Sequence, residues 1–121
     1  EMFCTINPSE SIEKIEKAIS NIFPYSIISN DDFSINAQSK ELRSFEKIYQ
    51  FIHNNNLQKN YLRSLEDNLH DDTTWFYLNK QAAFVEQIAI CEESNESPLG
   101  PIKVTLTSSN IDAIIDWIVF D

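Results

Sequence analysis

Residues 73–91 read TTWFYLNKQAAFVEQIAIC, and the fold turns on how this stretch is divided. TTWFYL (73–78) and FVEQIAIC (84–91) are rich in β-branched and aromatic residues, the types that fit a pleated, half-buried surface. Between them Asn79, Lys80 and Gln81 interrupt the apolar run and are followed by Ala82 and Ala83. The interruption can be a turn, a bulge or a binding site. Read as a reversal, Asn79 to Ala82 join two strands, the alanines allow close backbone packing, and Lys80 and Gln81 stand exposed at the tip.

Working outward, IKVTLTS (102–108) reads as a third strand, and the three together predict an antiparallel meander. Upstream, MFCTI (2–6) is a strand that stops at Asn7-Pro8-Ser9-Glu10. Asn7 as N-cap with Glu10 at the third helical position forms a capping box, and Ser9 is a rival cap. Ile12, Ile15, Ile19 and Ile22 then mark one helical stripe, closed by Pro24. YSIIS (25–29) and FSINA (33–37) flank Asn30-Asp31-Asp32 and read as a hairpin in which the acidic pair caps backbone amides or faces water. Helical periodicity returns with Leu42, Phe45, Ile48, Tyr49 and Ile52, and again with Tyr61, Leu62, Leu65 and Leu69. Asn110 begins a last helix with Ile111, Ile114, Ile115 and Ile118 inward. The order β-α-β-β-α-α-β-β-β-α, built on hairpins, predicts an α+β fold with helices packed mainly on one face of an antiparallel sheet.

The bulk properties agree with one domain over residues 1–121. The chain is 42% hydrophobic and 23% charged, ordinary values for a packed core. No apolar run approaches the roughly 20 residues that cross a bilayer, and no signal peptide is visible, so the expected location is the cytoplasm, away from the membrane. Cys4 and Cys91 lack the paired spacing of zinc or redox motifs and read as buried thiols. The net charge of −10 opposes RNA phosphates at long range without excluding a local basic patch.

Chemistry is sparse. His53 and His70 fall at helix ends, where a helix C-terminus accounts for them without a metal. Asp71-Asp72 and Glu92-Glu93 read as solvated loop charges, and no nucleophile is indicated. One glycine in the chain leaves no room for a glycine-rich phosphate loop. The expectation is a protein with no catalytic residues, cofactor or metal. That glycine lies in SPLGPIKV (97–104), between Leu99 and Pro101. A residue before proline is driven from the helical region, and glycine there also admits positive φ. Pro98, Gly100 and Pro101, with Asn79, Ala82 and Ala83, are therefore candidates for structural corners; a close approach to a ligand or partner backbone is the sharper reading of Gly100.

Four stretches, INPSE…KAISNIFP (6–24), LNKQAAF (78–84), SPLGPI (97–102) and IDAIIDWI (111–118), together resemble the archaeal family of predicted RNA-binding proteins, also described as exosome-associated. The resemblance implies an α+β fold similar to a large-subunit ribosomal protein, with a curved antiparallel sheet, homodimers, and no catalytic residue or cofactor. The sequence departs from the family pattern at Glu86, where a glycine is common, and in Glu92, Glu93 and Glu96 beside SPLGPI.

Two functions are consistent with these features. One is a noncatalytic RNA-binding module using the basic stripe Lys40, Arg43 and Lys47, assisted by Lys59, Arg63, Lys80 and Gln81. The other is a homodimeric protein-interaction or scaffold module contacting its partner through sheet edges and the two corner motifs.

Overall fold

The structure is a computed structural model that describes residues 1–6, 9–84, 88, 90–91 and 100–120, with Gln81, Phe84, Ile90 and Cys91 described by their backbone. The elements are β1 (Met2–Thr5), α1 (Ile12–Ile22), β2 (Ile27–Asn30), β3 (Ser34–Gln38), a 3-10 turn (Leu42–Phe45) leading into α2 (Glu46–Asn54), α3 (Gln58–Asp67), β4 (Thr73–Leu78), a short α4 (Lys80–Phe84), β5 (Ile90–Cys91), β6 (Ile102–Thr107) and α5 (Ile111–Val119). The α+β order read from the sequence holds, with α4 added.

All six strands join one sheet in the order β2-β3-β1-β6-β4-β5, and every pairing is antiparallel. The expected meander is therefore corrected. β5 and β6 pair with opposite edges of β4, and β6 reaches across to β1.

Alternation in the strands separates two faces of the sheet. Met2, Cys4, Ile35, Ala37, Phe76, Leu78, Ile102 and Val104 point to one side and are buried with the helices' apolar stripes in a single cluster. Ile15, Ala18, Ile19 and Ile22 supply it from α1, Ile48 and Ile52 from α2, Tyr61 and Leu65 from α3, and Ile111, Ile115 and Ile118 from α5. Rings lock the helical layer: Tyr49 stacks on Trp117 at 4.5 Å, and Tyr61 meets Phe76 edge-on at 5.5 Å. Thr74 carries its hydroxyl into this interior and donates to the Leu65 carbonyl at 2.6 Å, tying β4 to α3.

Local chemistry explains the boundaries. Asn7 and Pro8 lie outside the described residues, and the observed N-cap of α1 is Ser11, whose hydroxyl accepts from the Lys14 amide. The expected start is thus displaced by a few residues, because Glu10 is needed elsewhere. Asp31 Oδ1 accepts the amides of Phe33 and Ser34 at 2.7 and 2.8 Å, closing the β2–β3 turn as an amide cap. These bonds hold its carboxyl below the usual range. Asn110 sits at the start of α5 without a side-chain cap bond. Gly100 has φ +86°, and a Cβ there would stand 3.3 Å from Thr5 Oγ1. Both the left-handed backbone and the close approach to β1 favour glycine, as a structural corner requires. Pro98 lies outside the described residues.

LNKQAAF is not a reversal with an exposed tip. It is the start of α4: Asn79 Oδ1 accepts the Ala82 amide at 2.9 Å, and the Asn79 carbonyl accepts the Ala83 amide at 3.3 Å. Ala83 is buried, and α4 packs on α1. Lys80, expected in water, is 0% exposed. Its Nζ donates to the Thr5 carbonyl at 2.7 Å and to Glu10 Oε1 at 3.1 Å, with Glu10 itself only 4% exposed. One ammonium thereby joins the end of β1, the approach to α1 and the first residue of α4.

Removing one member of a buried pair leaves the other charge in a poor solvent, typically at a cost of about 3–5 kcal/mol. Lys80→Ala is expected to lower unfolding stability by about that amount in chemical denaturation. Lys80→Met combined with Glu10→Leu should recover most of the loss, since both buried charges are then gone.

Candidate nucleic-acid interface

The face of the sheet opposite the core carries no helix among the described residues. Register places Ser29, Asn36, Phe3, Lys103 and Tyr77 in one row across β2, β3, β1, β6 and β4. Thr105 and Trp75 pair in the next row. Strands lie roughly 4.8 Å apart, so the backbones of Phe3 and Tyr77, two strands from each other, are separated by about 10 Å.

Trp75 and Tyr77 are neighbours on β4 with ring centroids 5.0 Å apart, inclined at 56°. Lys103 projects from the adjacent strand, and its Nζ lies 4.9 Å from the centre of the Trp75 ring. That is within cation–π range. Phe3, on the other side of Lys103, is 39% exposed, unusual for a phenylalanine in a central strand. The remaining outward positions of β1, β3, β4 and β6 are Thr5, Ser34, Asn36, Gln38, Thr73, Thr105 and Thr107, all uncharged. Lys103 is therefore the one charged residue among the outward positions of these four strands, and the Glu1 carboxylate ahead of β1 accepts from Asn36 Nδ2 and Gln38 Nε2 at 2.8 and 3.2 Å on the same face.

The residues expected from the sequence to contact RNA are scattered. Lys40, Arg43 and Lys47 are exposed, but they do not share one helical face: Lys40 precedes the 3-10 turn, Arg43 lies within it and Lys47 is in α2. Arg43 pairs with Glu41 at 2.7 Å, which raises its pKa, and its guanidinium sits 3.9 Å from the centre of the Tyr25 ring. Lys47 donates to the Asn21 carbonyl at 2.6 Å, near the C-terminus of α1 where a cation is favoured. Lys40 and Arg43 line an open cavity of about 980 Å³ at the end of the sheet, together with Glu1, Glu41, Gln38 and Thr105 and, from the helical side, Phe45 and Ile118. Lys59 and Arg63 are exposed on α3, on the helical side of the sheet. Lys80 is buried, and the Gln81 side chain lies outside the described residues.

Other polar clusters have structural explanations. His53 Nε2 lies 2.7 Å from the Ile118 carbonyl, linking the end of α2 to α5, while its ring lies against Tyr49 at 4.2 Å. His70 is exposed beside Asp71. Among the described residues no group of three or more His, Cys, Asp or Glu side chains can hold a metal ion, and no helix is long and apolar enough to cross a membrane.

The chain is thus of the α+β class, with one sheet face packed against helices and the other bearing rings and a lysine. Within that class, the chain belongs to the family whose model is described as RNA binding, which matches residues 1–108. A UPF0201 protein of Sulfurisphaera tokodaii is 33% identical over 117 residues, covering 93% of this chain and 81% of its own. Another from Methanothermobacter thermautotrophicus is 32% identical over 118 residues, covering 96% and 86%. The crystal structure of the UPF0201 protein from Methanococcus jannaschii superposes with a TM-score of 0.82 at 26% identity, covering 98% of this chain and 90% of that one. The family description names binding and no reaction.

Sequence reasoning passed over Trp75, Tyr77, Phe3 and Lys103. The alternation of Trp75 and Tyr77 with Phe76 and Leu78 was visible, but placing Lys103 between Phe3 and Tyr77 requires the strand order. The same order buries Cys4 beside the Lys80–Glu10 pair. Burial pushes the Cys4 thiol up to about 11, a rise that Lys80 opposes and Glu10 reinforces. Thiolate, the alkylating species, is then scarce at neutral pH. Peptide mass spectrometry after iodoacetamide treatment at about pH 8 should find Cys4 unmodified in the native protein and modified in denaturant.

Proposed function

We propose that the protein is a noncatalytic RNA-binding module that takes RNA on the helix-free face of its sheet. The observation that carries this reading is the outward row of Phe3, Lys103 and Tyr77 with Trp75 beside it, where rings flank a lysine. The RNA-binding description of the family supports it. At physiological ionic strength, fields are screened over about 8 Å, so the acidic surface elsewhere weakens encounter more than it weakens contacts already made. Lys40 and Arg43, exposed at the cavity that Gln38 and Thr105 also line, supply phosphate contacts that position the strand, while the rings supply contacts to the bases.

Few cations imply a shallow salt dependence. Three phosphate contacts, from Lys103, Lys40 and Arg43, give a slope of log K against log salt of about −2 for a single strand. Fluorescence anisotropy with an RNA oligonucleotide across a salt series should show this slope, and Lys103→Glu together with Lys40→Glu should flatten it and weaken binding. Unchanged affinity in that double variant overturns the proposed surface.

A second reading, self-association, is favoured by a different observation. β2 is an edge strand, Ile27 on it is 80% exposed, and Phe33 and Tyr25 nearby are 77% and 62% exposed. An unprotected edge with apolar residues invites another strand. Light scattering across a concentration series is expected to show a dimer that Ile27→Lys dissociates; a monomer at all concentrations counts against it.

A further inference from the structure

The outward face also defines which form of RNA it suits. Resting on the reading of the protein as an RNA binder, we infer that the sheet binds unpaired nucleotides by stacking their bases on Trp75, Tyr77 and Phe3, with Lys103 holding the phosphate between them.

Three features of the face lead to this form. First, a base pair inside an A-form helix has no ring face available to a protein, because both faces are covered by neighbouring pairs. An aromatic platform is therefore useful only to bases that are splayed out. Second, the platform lies on strands fixed by cross-strand pairing over the full length of β4 with β6, so the rings hold their spacing without a partner. Preorganised rings lose little freedom on binding. Third, the cations around them are sparse: Thr73 and Thr107 face each other at 3.1 Å, and Asn36 Nδ2 is already donating to the Glu1 carboxylate. A duplex is recognised through rows of phosphate and 2′-hydroxyl contacts across its minor groove, which call for several cations. One ammonium among three rings fits a short unpaired segment instead, with room for roughly two or three bases.

The rings and the cation together favour this occupant over an acidic protein surface. Lys103 stands central rather than at the rim, between Phe3 and Tyr77 in the same row. A nucleotide supplies both a ring for Trp75 and an anion for Lys103.

The test compares three probes on the whole protein: single-stranded oligo-uridylate and oligo-adenylate, a blunt RNA duplex of the same length, and an abasic ribose-phosphate strand. Both single strands should bind at least about tenfold tighter than the duplex or the abasic strand and should quench tryptophan emission. The quenching should persist in Trp117→Phe and disappear in Trp75→Phe, which assigns it to the sheet face. Trp75→Ala should weaken single-strand binding by about 5- to 150-fold, the range for loss of one stacked base. Trp75→Phe, which keeps a ring, should stay within about threefold. Equal binding of duplex, abasic and single strands, or no loss in Trp75→Ala, overturns the stacking inference while leaving RNA binding in place. Failure of all three probes to bind removes the RNA reading itself. A dimer in light scattering that Trp75→Ala converts to monomer, with RNA affinity unchanged, assigns the face to a second copy and overturns the inference as well.

Discussion

A lysine ammonium without exposed surface constrains this fold more than any other group. Stripping Lys80 of water is costly, and the cost is offset only where acceptors wait at fixed positions. The Thr5 carbonyl at the end of β1 and the Glu10 carboxylate ahead of α1 are those acceptors, at 2.7 and 3.1 Å. Since Lys80 opens α4, three separate segments of chain must meet at one point. The consequences spread outward: Glu10 is drawn inward and the helix begins after Ser11, Ala83 rests on α1, and Cys4 finds itself in an interior that suppresses its ionisation. Gly100 adds a neighbouring constraint, passing Thr5 so closely that a side chain would crowd its hydroxyl.

With that corner closed, the sheet becomes strongly two-sided. Its inner face holds the isoleucines of α1, α2 and α5, Tyr61 and Leu65 of α3, and the valine, phenylalanine and leucine of the central strands. Its outer face retains large rings yet has no helix over them among the described residues. Burying the rings of Trp75, Tyr77 and Phe3 more completely would contribute to stability, at roughly 25 cal/mol per Å² of apolar surface. Leaving them partly in water is instead the arrangement expected of a surface that awaits a partner. The acidic groups that dominate the composition are sparse on the outward face of the central strands, where Lys103 stands among the rings and the Glu1 carboxylate is held by Asn36 and Gln38. Net charge is thus a poor guide to the potential at this particular surface.

Much of the architecture was legible because periodicity is a local property. Ile15, Ile19 and Ile22 lie at helical spacing and are buried; Trp75 and Tyr77 alternate with Phe76 and Leu78 and divide between the faces. The tight polar turn at Asp31 and the positive φ at Gly100 followed equally from local chemistry. The strand order did not. TTWFYL, FVEQIAIC and IKVTLTS read as a meander because consecutive strands usually neighbour each other, yet β6 lies between β4 and β1. Lys80 was misplaced for a related reason. A lysine beside Asn and Gln reads as surface, and only a carboxylate 70 residues earlier in the chain makes burial tolerable. The basic stripe Lys40, Arg43 and Lys47 dispersed because the first turn of that segment is 3-10 rather than α, which changes the angle between successive side chains.

By itself, then, the sequence determined the α+β class, the helical stripes and most of the strands, because each depends on spacing within a few residues; FVEQIAIC is the exception, since Phe84 ends α4 and the strand is Ile90–Cys91. The family resemblance read from the sequence holds as well, since the family model matches residues 1–108. Tertiary structure alone decided that LNKQAAF begins a helix around a buried ion pair, and that Lys103 stands between Phe3 and Tyr77 with Trp75 against it. Both depend on groups distant in sequence becoming neighbours, and solvation and pairing energies act on that neighbourhood. The candidate RNA surface is accordingly a property of strand order, invisible until β1, β6 and β4 lie side by side.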